Sequence, residues 1–347
     1  MKKTEQLLDD GKFKRALARL KESGPASGPA ADRFLLKGEA LRGLGLFAAA
    51  IKEYGAARSA PGGRRLAAFL GEARCHRALG NKHKALSSAK KALELSKTDG
   101  GFKDEARLEW ALALRLTGRL GEAAGLLVKI LRDYKKAGDR GGAAFALWAL
   151  GGLYRLQGRY AEGITAFENS FALAKKAGDQ ASAGYALFGL GGILRVAGFM
   201  GRALDCYARA RKSFAATDDT FAKAYAECGT ANVLRQLGRL EEALAGYERA
   251  HRLYSGLSDW ADLGFVEWGM GEIRRRGGDF PGALKNYRSA MKLFKGRGEP
   301  RGEALTLLSL SYLYYLTGAA DRAEKSHAAA LRFIQSHGLH THLETFT

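Results

Sequence analysis

The sequence has few of the residues that mark secreted or membrane-spanning proteins. Its 347 residues include only 3 cysteines and 5 prolines. Cys75, Cys206 and Cys228 form no CxxC pair, and such a sparse, odd set argues against a disulfide framework and favours a reducing compartment. No run of about 18 apolar residues is present to span a bilayer. Because the opening MKKTEQLLDDGKF also lacks the apolar stretch of a signal peptide, we expect a cytoplasmic protein.

Acidic residues are also in deficit. The chain has 56 Lys and Arg against 36 Asp and Glu, a formal net charge of +20. This excess favours an acidic partner, such as an acidic peptide, a nucleic acid or an anionic membrane surface. The alternative is that Lys and Arg serve only solubility.

Residues that catalyse reactions or bind metals lack a functional spacing. The histidines before the C-terminus are scattered, with no fixed carboxylate or cysteine partner: His76, His83, His251 and His327. His337, His340 and His342 have HxxHxH spacing, but a flexible tail has no surrounding groups to orient metal ligands. We therefore expect a protein that is not an enzyme and needs no cofactor or metal.

What the sequence does have is a glycine that recurs every 40 residues, at Gly118, Gly158, Gly198, Gly238, Gly278 and Gly318. Closer to the N-terminus Gly11, Gly45 and Gly80 continue the series at shorter intervals. A fixed period of this length indicates stacked structural repeats. An arginine stands three residues before seven of these glycines, and we call this set the arginine ladder: Arg42, Arg77, Arg115, Arg155, Arg195, Arg235 and Arg275.

Each repeat has the pattern of two amphipathic helices around its glycine. Residues 141–157 precede Gly158 with apolar residues at helical spacing, and residues 159–179 form the second helix. The glycine allows a left-handed turn, so that the second helix folds back on the first. An acidic residue ends most joints and is predicted to cap the next helix: Asp139, Asp179, Asp219, Asp259 and Glu299.

This pattern resembles the tetratricopeptide repeat (TPR) family, on the motifs Leu150-Gly151…Tyr154…Gly158…Gly163…Phe167 and Leu190-Gly191…Gly198…Ala203…Tyr207. The resemblance implies an all-α, right-handed superhelical solenoid of antiparallel helix hairpins. Its 40-residue units resemble the longer-helix subclass of the family, found in cell-polarity and signalling adaptors. It covers residues 3–337 as nine helix pairs, divided into repeats of 34–38 residues over 1–100 and of 40 residues over 101–337. Residues 22–33 are predicted as a loop and residues 338–347 as an unstructured tail.

Three charged residues fall at positions that are apolar in the other repeats: Glu227, Glu267 and Arg274. An unpaired charge in a packed seam is costly. Either the long helices turn these side chains toward water, or repeats seven and eight contain a polar contact. We favour the first, because unpaired charges are rarely buried.

One face of the first helices is predicted to line the concave side and bind a partner. It combines an aromatic band with the arginine ladder. The candidate residues are Phe145, Trp148, Tyr185, Phe188, Tyr225, Asn232, Phe265 and Trp268 with Arg115, Arg155, Arg195, Arg235 and Arg275. Guanidinium groups bind carboxylates bidentately, and aromatic rings provide apolar anchors. The alternative is that the arginines cap helix ends and the aromatics pack against the next helix.

The sequence therefore predicts a non-catalytic scaffold or adaptor that binds an acidic or mixed acidic–apolar segment of a partner protein. Nucleic acid is the second candidate, because phosphates match the arginines and bases can stack on the aromatics. Self-assembly through the terminal repeats is the third, since the last repeat ends without an obvious polar capping helix.

Overall fold

The computed structural model describes residues 2–22, 28–99, 102–215, 217–257, 260–297 and 299–339. These residues form 18 helices and no strand, which confirms the all-α prediction. No helix in these ranges is long and apolar enough to cross a bilayer. The helices are α1 Lys2–Asp9, α2 Phe13–Glu22, α3 Ala30–Gly43, α4 Phe47–Ser59, α5 Arg65–Ala78, α6 Lys82–Asp99, α7 Lys103–Leu116, α8 Leu120–Ala137, α9 Arg140–Leu156, α10 Tyr160–Lys176, α11 Gln180–Val196, α12 Met200–Phe214, α13 Thr220–Gln236, α14 Leu240–Ser255, α15 Trp260–Arg276, α16 Phe280–Arg297, α17 Pro300–Leu316 and α18 Ala320–His337.

The helices pair into nine hairpins, numbered 1 (α1 and α2) to 9 (α17 and α18), and each pair is joined at one of the recurring glycines. Every one of these glycines has a left-handed backbone, from +68° at Gly11 to +88° at Gly198. In hairpin 5 the N–H of Arg159, the residue after the glycine, donates to the carbonyl of Tyr154 at 2.9 Å. This bond satisfies a carbonyl that the helix end leaves open, so the predicted turn chemistry is confirmed.

Acidic residues cap the helices that follow the joints. The Asp139 carboxylate accepts the Gly142 N–H at 2.8 Å, and Asp179 accepts the Ser182 N–H at 2.9 Å. Asp219 caps α13 in the same way through the N–H of Ala222, at 2.8 Å. Glu299 makes no side-chain cap bond, and Asp259 lies outside the described residues.

A large aromatic ring nine residues after the turn glycine fills the space beside the first helix. Tyr54 and Tyr287, in hairpins 2 and 8, are fully buried. A Cβ at Gly38 would lie 2.7 Å from the Tyr54 ring, and one at Gly271 would lie 2.6 Å from the Tyr287 ring. Glycine within these helices therefore makes room for the tyrosines, which places their hydroxyl groups near the first-helix face.

Contacts divide the chain into two compact units. The first comprises Met1–Leu190 and Arg209–Ala222, and the second Gly191–Ala208 and Lys223–Thr347. Within the first, hairpin 4 and α9 share a core that includes Leu112, Leu127 and Ile130. Within the second, hairpin 8 packs on α17 through Tyr287, Phe294 and Leu313.

The first unit contains a contact between residues far apart in sequence. The Asp218 N–H donates to the Gly11 carbonyl at 3.0 Å, and the Asp218 carboxylate accepts the N–H of Lys14 at 3.1 Å. Nearby, the rings of Phe47 and Phe221 meet edge to face, with 6.2 Å between their centroids. The segment before α13 is therefore bonded to hairpin 1 and packed against hairpin 2, an arrangement that the sequence did not predict.

Two predictions about the ends of segments need correction. Residues 22–33 are not all loop, because α3 begins at Ala30, while residues 23–27 lie outside the described residues. At the other end Leu339 is buried against Ala304 and Ile334. Residues 340–347, which include His340 and His342 of the predicted tail, also lie outside the described residues.

The prediction that Glu227, Glu267 and Arg274 turn toward water is wrong. Glu227 is buried and accepts a hydrogen bond from Arg249 Nε at 2.9 Å. Glu267 bonds both His251 Nε2 at 3.1 Å and the Asn286 amide at 2.5 Å. The Asn286 oxygen in turn accepts from Arg274 at 2.7 Å. The charges stay within the packed seam because partners on neighbouring helices supply their hydrogen bonds.

Candidate binding face

The backbone places the seven ladder arginines in equivalent positions. In each, the N–H of the turn glycine donates to the arginine carbonyl, from 2.9 Å for Gly45 and Arg42 to 3.2 Å for Gly278 and Arg275. Each arginine therefore lies in the last turn of a first helix. Its side-chain neighbours, which differ between hairpins, decide what each guanidinium can do.

At the N-terminal end of the ladder, Arg42 is neutralised by its own helix. Its Nε donates to Glu39 at 3.1 Å, and the Tyr54 hydroxyl donates to the same carboxylate at 2.7 Å. Burial alone would raise the pKa of Glu39, but the charges of Arg42 and Arg74 lower it from 4.5 to about 2. Arg42 is thus committed to an internal ion pair.

Arg275, at the other end of the ladder, belongs to a similar but larger network. Its Nη2 donates to Glu272 at 2.8 Å, and the Tyr287 hydroxyl donates to Glu272 at 2.6 Å. Ser309 adds a third bond to this carboxylate at 2.8 Å and accepts one from Trp268 Nε1 at 2.9 Å. Burial opposes ionisation of Glu272, yet these donors keep its pKa below the ordinary value.

Two further arginines of the first unit are engaged by the next hairpin. Arg77 donates to Glu109 at 2.8 Å. Arg115 lies 5.8 Å from the centroid of Trp148, and its Nη1 reaches the Ala149 carbonyl at 3.4 Å. A Cβ at Gly152 would lie 2.6 Å from that Nη1, so the missing side chain leaves room for the arginine.

The residue six positions before the turn glycine distinguishes the remaining arginines. It is glutamate beside Arg42 and Arg275, but it is Gly152, Gly192 and Asn232 beside Arg155, Arg195 and Arg235. In hairpin 7 the Arg235 Nε donates to the Tyr247 hydroxyl at 3.2 Å, which donates to the Asn232 oxygen at 2.6 Å. Arg235 is only 3% exposed, and its guanidinium lies 5.0 Å from the centroid of Trp268.

Arg195 is 6% exposed, and its Nη1 has no hydrogen-bond partner among the described residues. In the first unit, the buried Nε of Arg155 also has none within the described ranges. Burial raises the pKa of Cys228 to about 12, while the positive charges of Arg195 and Arg235 both act to lower it. The two guanidinium groups of the second unit therefore lie near one another, around Cys228.

In the first unit, the predicted aromatic band contains both exposed and buried rings. Phe145 is 38% exposed and its ring centroid lies 5.3 Å from that of Trp148. Tyr185 donates to Asp219 at 2.5 Å, and burial, followed by the Asp219 charge, raises the pKa of its hydroxyl well above the ordinary value. Phe188 is buried and stacks on Phe214, so this ring packs within the repeat.

In the second unit, Trp268 is buried, Tyr225 is half-buried, and the half-buried Phe265 packs on Phe294 with 4.8 Å between centroids. The large exposed rings on this face belong to Tyr312 and Tyr315, which are 50% and 71% exposed. Hairpin 9 has no ladder arginine, and the candidate set derived from the sequence omitted both tyrosines.

The sequence-based site also missed the carboxylates. Glu39 and Glu272 precede Arg42 and Arg275 by three residues, a spacing that brings side chains together on one helix face and was a usable signal. Glu109 belongs to the following hairpin, and nothing local pointed to it.

No protein-family model matches the sequence, and no curated protein matches it either. Solved structures do match. A Rap protein complexed with competence and sporulation factor has a TM-score of 0.66 at 18% identity, covering 81% of this chain and 80% of that chain. A chain of the APC/C hetero-tetramer Cut9-Hcn1 has a TM-score of 0.70 at 13% identity, covering 93% of this chain and 57% of that one. Aspartyl phosphate phosphatase F from Bacillus subtilis has a TM-score of 0.52 at 13% identity, covering 78% of this chain and 74% of that one. These similarities and the 18 helices together establish a TPR-like helical-repeat fold.

Proposed function

We propose that the protein is a non-catalytic scaffold or adaptor that binds an acidic or mixed acidic–apolar segment of a partner protein on the first-helix face. The observation that carries the proposal is the Arg195 guanidinium, which is buried with an Nη1 that has no acceptor among the described residues. A carboxylate from a partner would supply such an acceptor, and charge-assisted bonds of this kind are strong.

Exposed aromatic rings support an apolar part in the same ligand. Phe145 in the first unit and Tyr312 and Tyr315 in the second are all accessible. Tyrosine is favoured at interfaces because it combines apolar area with a polar group. Two of the similar structures are complexes, one of a Rap protein with competence and sporulation factor and one of Cut9 with Hcn1.

Three finer points belong to the same proposal. The 40-residue repeats are those of the longer-helix TPR subclass, continuous with the shorter repeats of residues 1–100. The protein works in the cytoplasm, since its three cysteines are all free thiols. The ligand is a protein segment, although the net charge of +20 makes nucleic acid the second candidate.

Fluorescence anisotropy of labelled peptides tests the proposal. A peptide of alternating Glu and Leu should bind, whereas its Gln–Leu counterpart should bind more weakly. The triple change Arg155→Ala, Arg195→Ala and Arg235→Ala should abolish binding while circular dichroism remains helical. Equal binding of both peptides, with no effect of the triple change, contradicts the proposal.

The same assay with a labelled single-stranded RNA addresses the second candidate. Nucleic-acid binding loses affinity steeply with salt, because each phosphate contact releases counterions. Tight RNA binding with a steep salt slope, together with no binding of the Glu–Leu peptide, would replace the protein ligand by nucleic acid.

A further inference from the structure

We infer that Arg195 and Arg235 of the second unit form the anion subsite of this face and bind one carboxylate of the partner segment, whereas Arg42, Arg77 and Arg275 serve the fold. This inference rests on the proposed function and deepens it. It divides a sequence pattern that looks uniform into two classes of arginine with different roles.

The division follows from what stands six residues before each turn glycine. Glu272 at this position pairs with Arg275 and accepts the Tyr287 hydroxyl. In hairpin 7 the same arginine and tyrosine positions are kept as Arg235 and Tyr247, but the acid is replaced by Asn232. The neutral amide accepts the tyrosine hydroxyl and adds no negative charge, so the internal ion pair of hairpin 8 has no equivalent at this position.

Hairpin 6 goes further, because Gly192 offers no side chain at all to Arg195. The Nη1 of Arg195 is buried without an acceptor among the described residues. Leaving a buried cationic donor unsatisfied is costly, and an uncompensated group of this kind marks a functional site more often than a structural one. A carboxylate with two oxygens matches the donors that a guanidinium presents.

The surroundings hold the pair ready for a ligand. Tyr247 fixes the Nε of Arg235 by accepting its hydrogen bond, and Trp268 packs against its guanidinium plane. Cys228 and Asn232 are half-buried on the same face, 3.7 Å apart from sulfur to amide nitrogen. They form the accessible border of the subsite. Asp262 is the acid whose charge reaches Cys228, and it is half-buried.

The decisive variant restores the missing acid. Asn232→Glu places the carboxylate of Glu272 at the equivalent point of hairpin 7, where it should pair with Arg235 and exclude the ligand. The affinity for the Glu–Leu peptide should fall about tenfold or more, because a desolvated charge pair is lost. Asn232→Gln, which has the same length without the charge, should retain most of the affinity. Equal affinity of Asn232→Glu and Asn232→Gln overturns the inference.

A second readout uses the unmodified chain. Cys75 and Cys206 are buried, so Cys228 is the most accessible of the three thiols. Saturating Glu–Leu peptide should slow alkylation of Cys228 by N-ethylmaleimide severalfold, measured by mass spectrometry at fixed pH. Peptide binding that leaves the Cys228 rate unchanged would place the ligand elsewhere and overturn the subsite alone. If wild-type protein does not bind the Glu–Leu peptide at all, the proposed function fails together with it.

Discussion

Hairpins 7 and 8 carry the same turn glycine, the same arginine three residues before it and the same tyrosine nine residues after it. Their arginines nevertheless meet different neighbours. Arg275 is bonded to Glu272, which also accepts bonds from Tyr287 and Ser309. Arg235 bonds the Tyr247 hydroxyl, which in turn bonds the amide of Asn232. One residue on the same helix, glutamate or asparagine, thus decides whether the hairpin neutralises its own arginine.

The comparison shows how a repeat protein can separate stability from binding without changing its fold. A repeat that supplies its own carboxylate gains a satisfied buried network, which specifies and stiffens the packing. A repeat that omits it keeps a cationic donor for a ligand, at a cost in stability. The predictions below test whether the two kinds of hairpin differ in this way.

The largest effect is expected from Glu272→Gln. The change leaves Arg275 buried without its counter-charge, and breaking a buried ion pair costs about 3–5 kcal/mol. Urea unfolding should show this loss in the free energy of unfolding. Glu242→Gln is the control, since Glu242 pairs with Arg239 on the exposed surface, where an ion pair contributes about 0–1 kcal/mol. Similar losses in both variants would contradict the network.

Removing a hydroxyl from the same network should have the next largest effect. Tyr287→Phe deletes the donor that lies 2.6 Å from Glu272, and a hydrogen bond to a charged group contributes about 1.5–3 kcal/mol. In the Glu272→Gln background the same change should cost clearly less, because the charged acceptor is already gone. Additive losses would mean that the two groups are not coupled.

Arg195 and Arg275 should respond to methionine with opposite signs. Arg195→Met removes an unsatisfied buried donor and should stabilise the free protein by about 1–2 kcal/mol. Arg275→Met leaves Glu272 without its cation and should destabilise it. Thermal and urea unfolding of both variants measure the sign directly. A destabilised Arg195→Met would show that this arginine serves the fold after all.

The smallest effect concerns acid stability. Because the folded-state pKa of Glu39 lies at about 2, below its ordinary 4.5, its ionised form stabilises the fold above pH 4.5. This contribution is lost as the pH falls from about 4.5 to about 2. Glu39→Gln should therefore flatten the pH dependence of unfolding over that window. An unchanged pH profile would mean that the Arg42 pair contributes nothing.

Features encoded by neighbouring residues could be predicted from the sequence. The turn glycines, the caps at Asp139 and Asp179 and the all-α fold depend on a few residues within one or two helical turns, and all are confirmed. The hydrogen bonds between hairpin 1 and Asp218 join residues about two hundred positions apart. Closing so large a loop leaves no local signature in composition or periodicity.

The candidate site was only partly accessible to the same reasoning. The seven arginines recur at a fixed position, which marks a shared face but not what each side chain meets. Glu267 and Arg274 were expected in water, because the partners that allow their burial, His251 and Asn286, lie on other helices. The residue at position six before the glycine was visible in the sequence, but its meaning required the paired geometry of Glu272 and Arg275.

A double-mutant cycle between protein and ligand tests the central claim most directly. Arg195→Met and a Glu-to-Gln change in the Glu–Leu peptide are measured singly and together by anisotropy. If the buried arginine binds a peptide carboxylate, the second change should have little effect once the first is made, which gives a coupling of about 1.5 kcal/mol or more. Fully additive losses of affinity would show that Arg195 does not meet the ligand and would remove the account of this face.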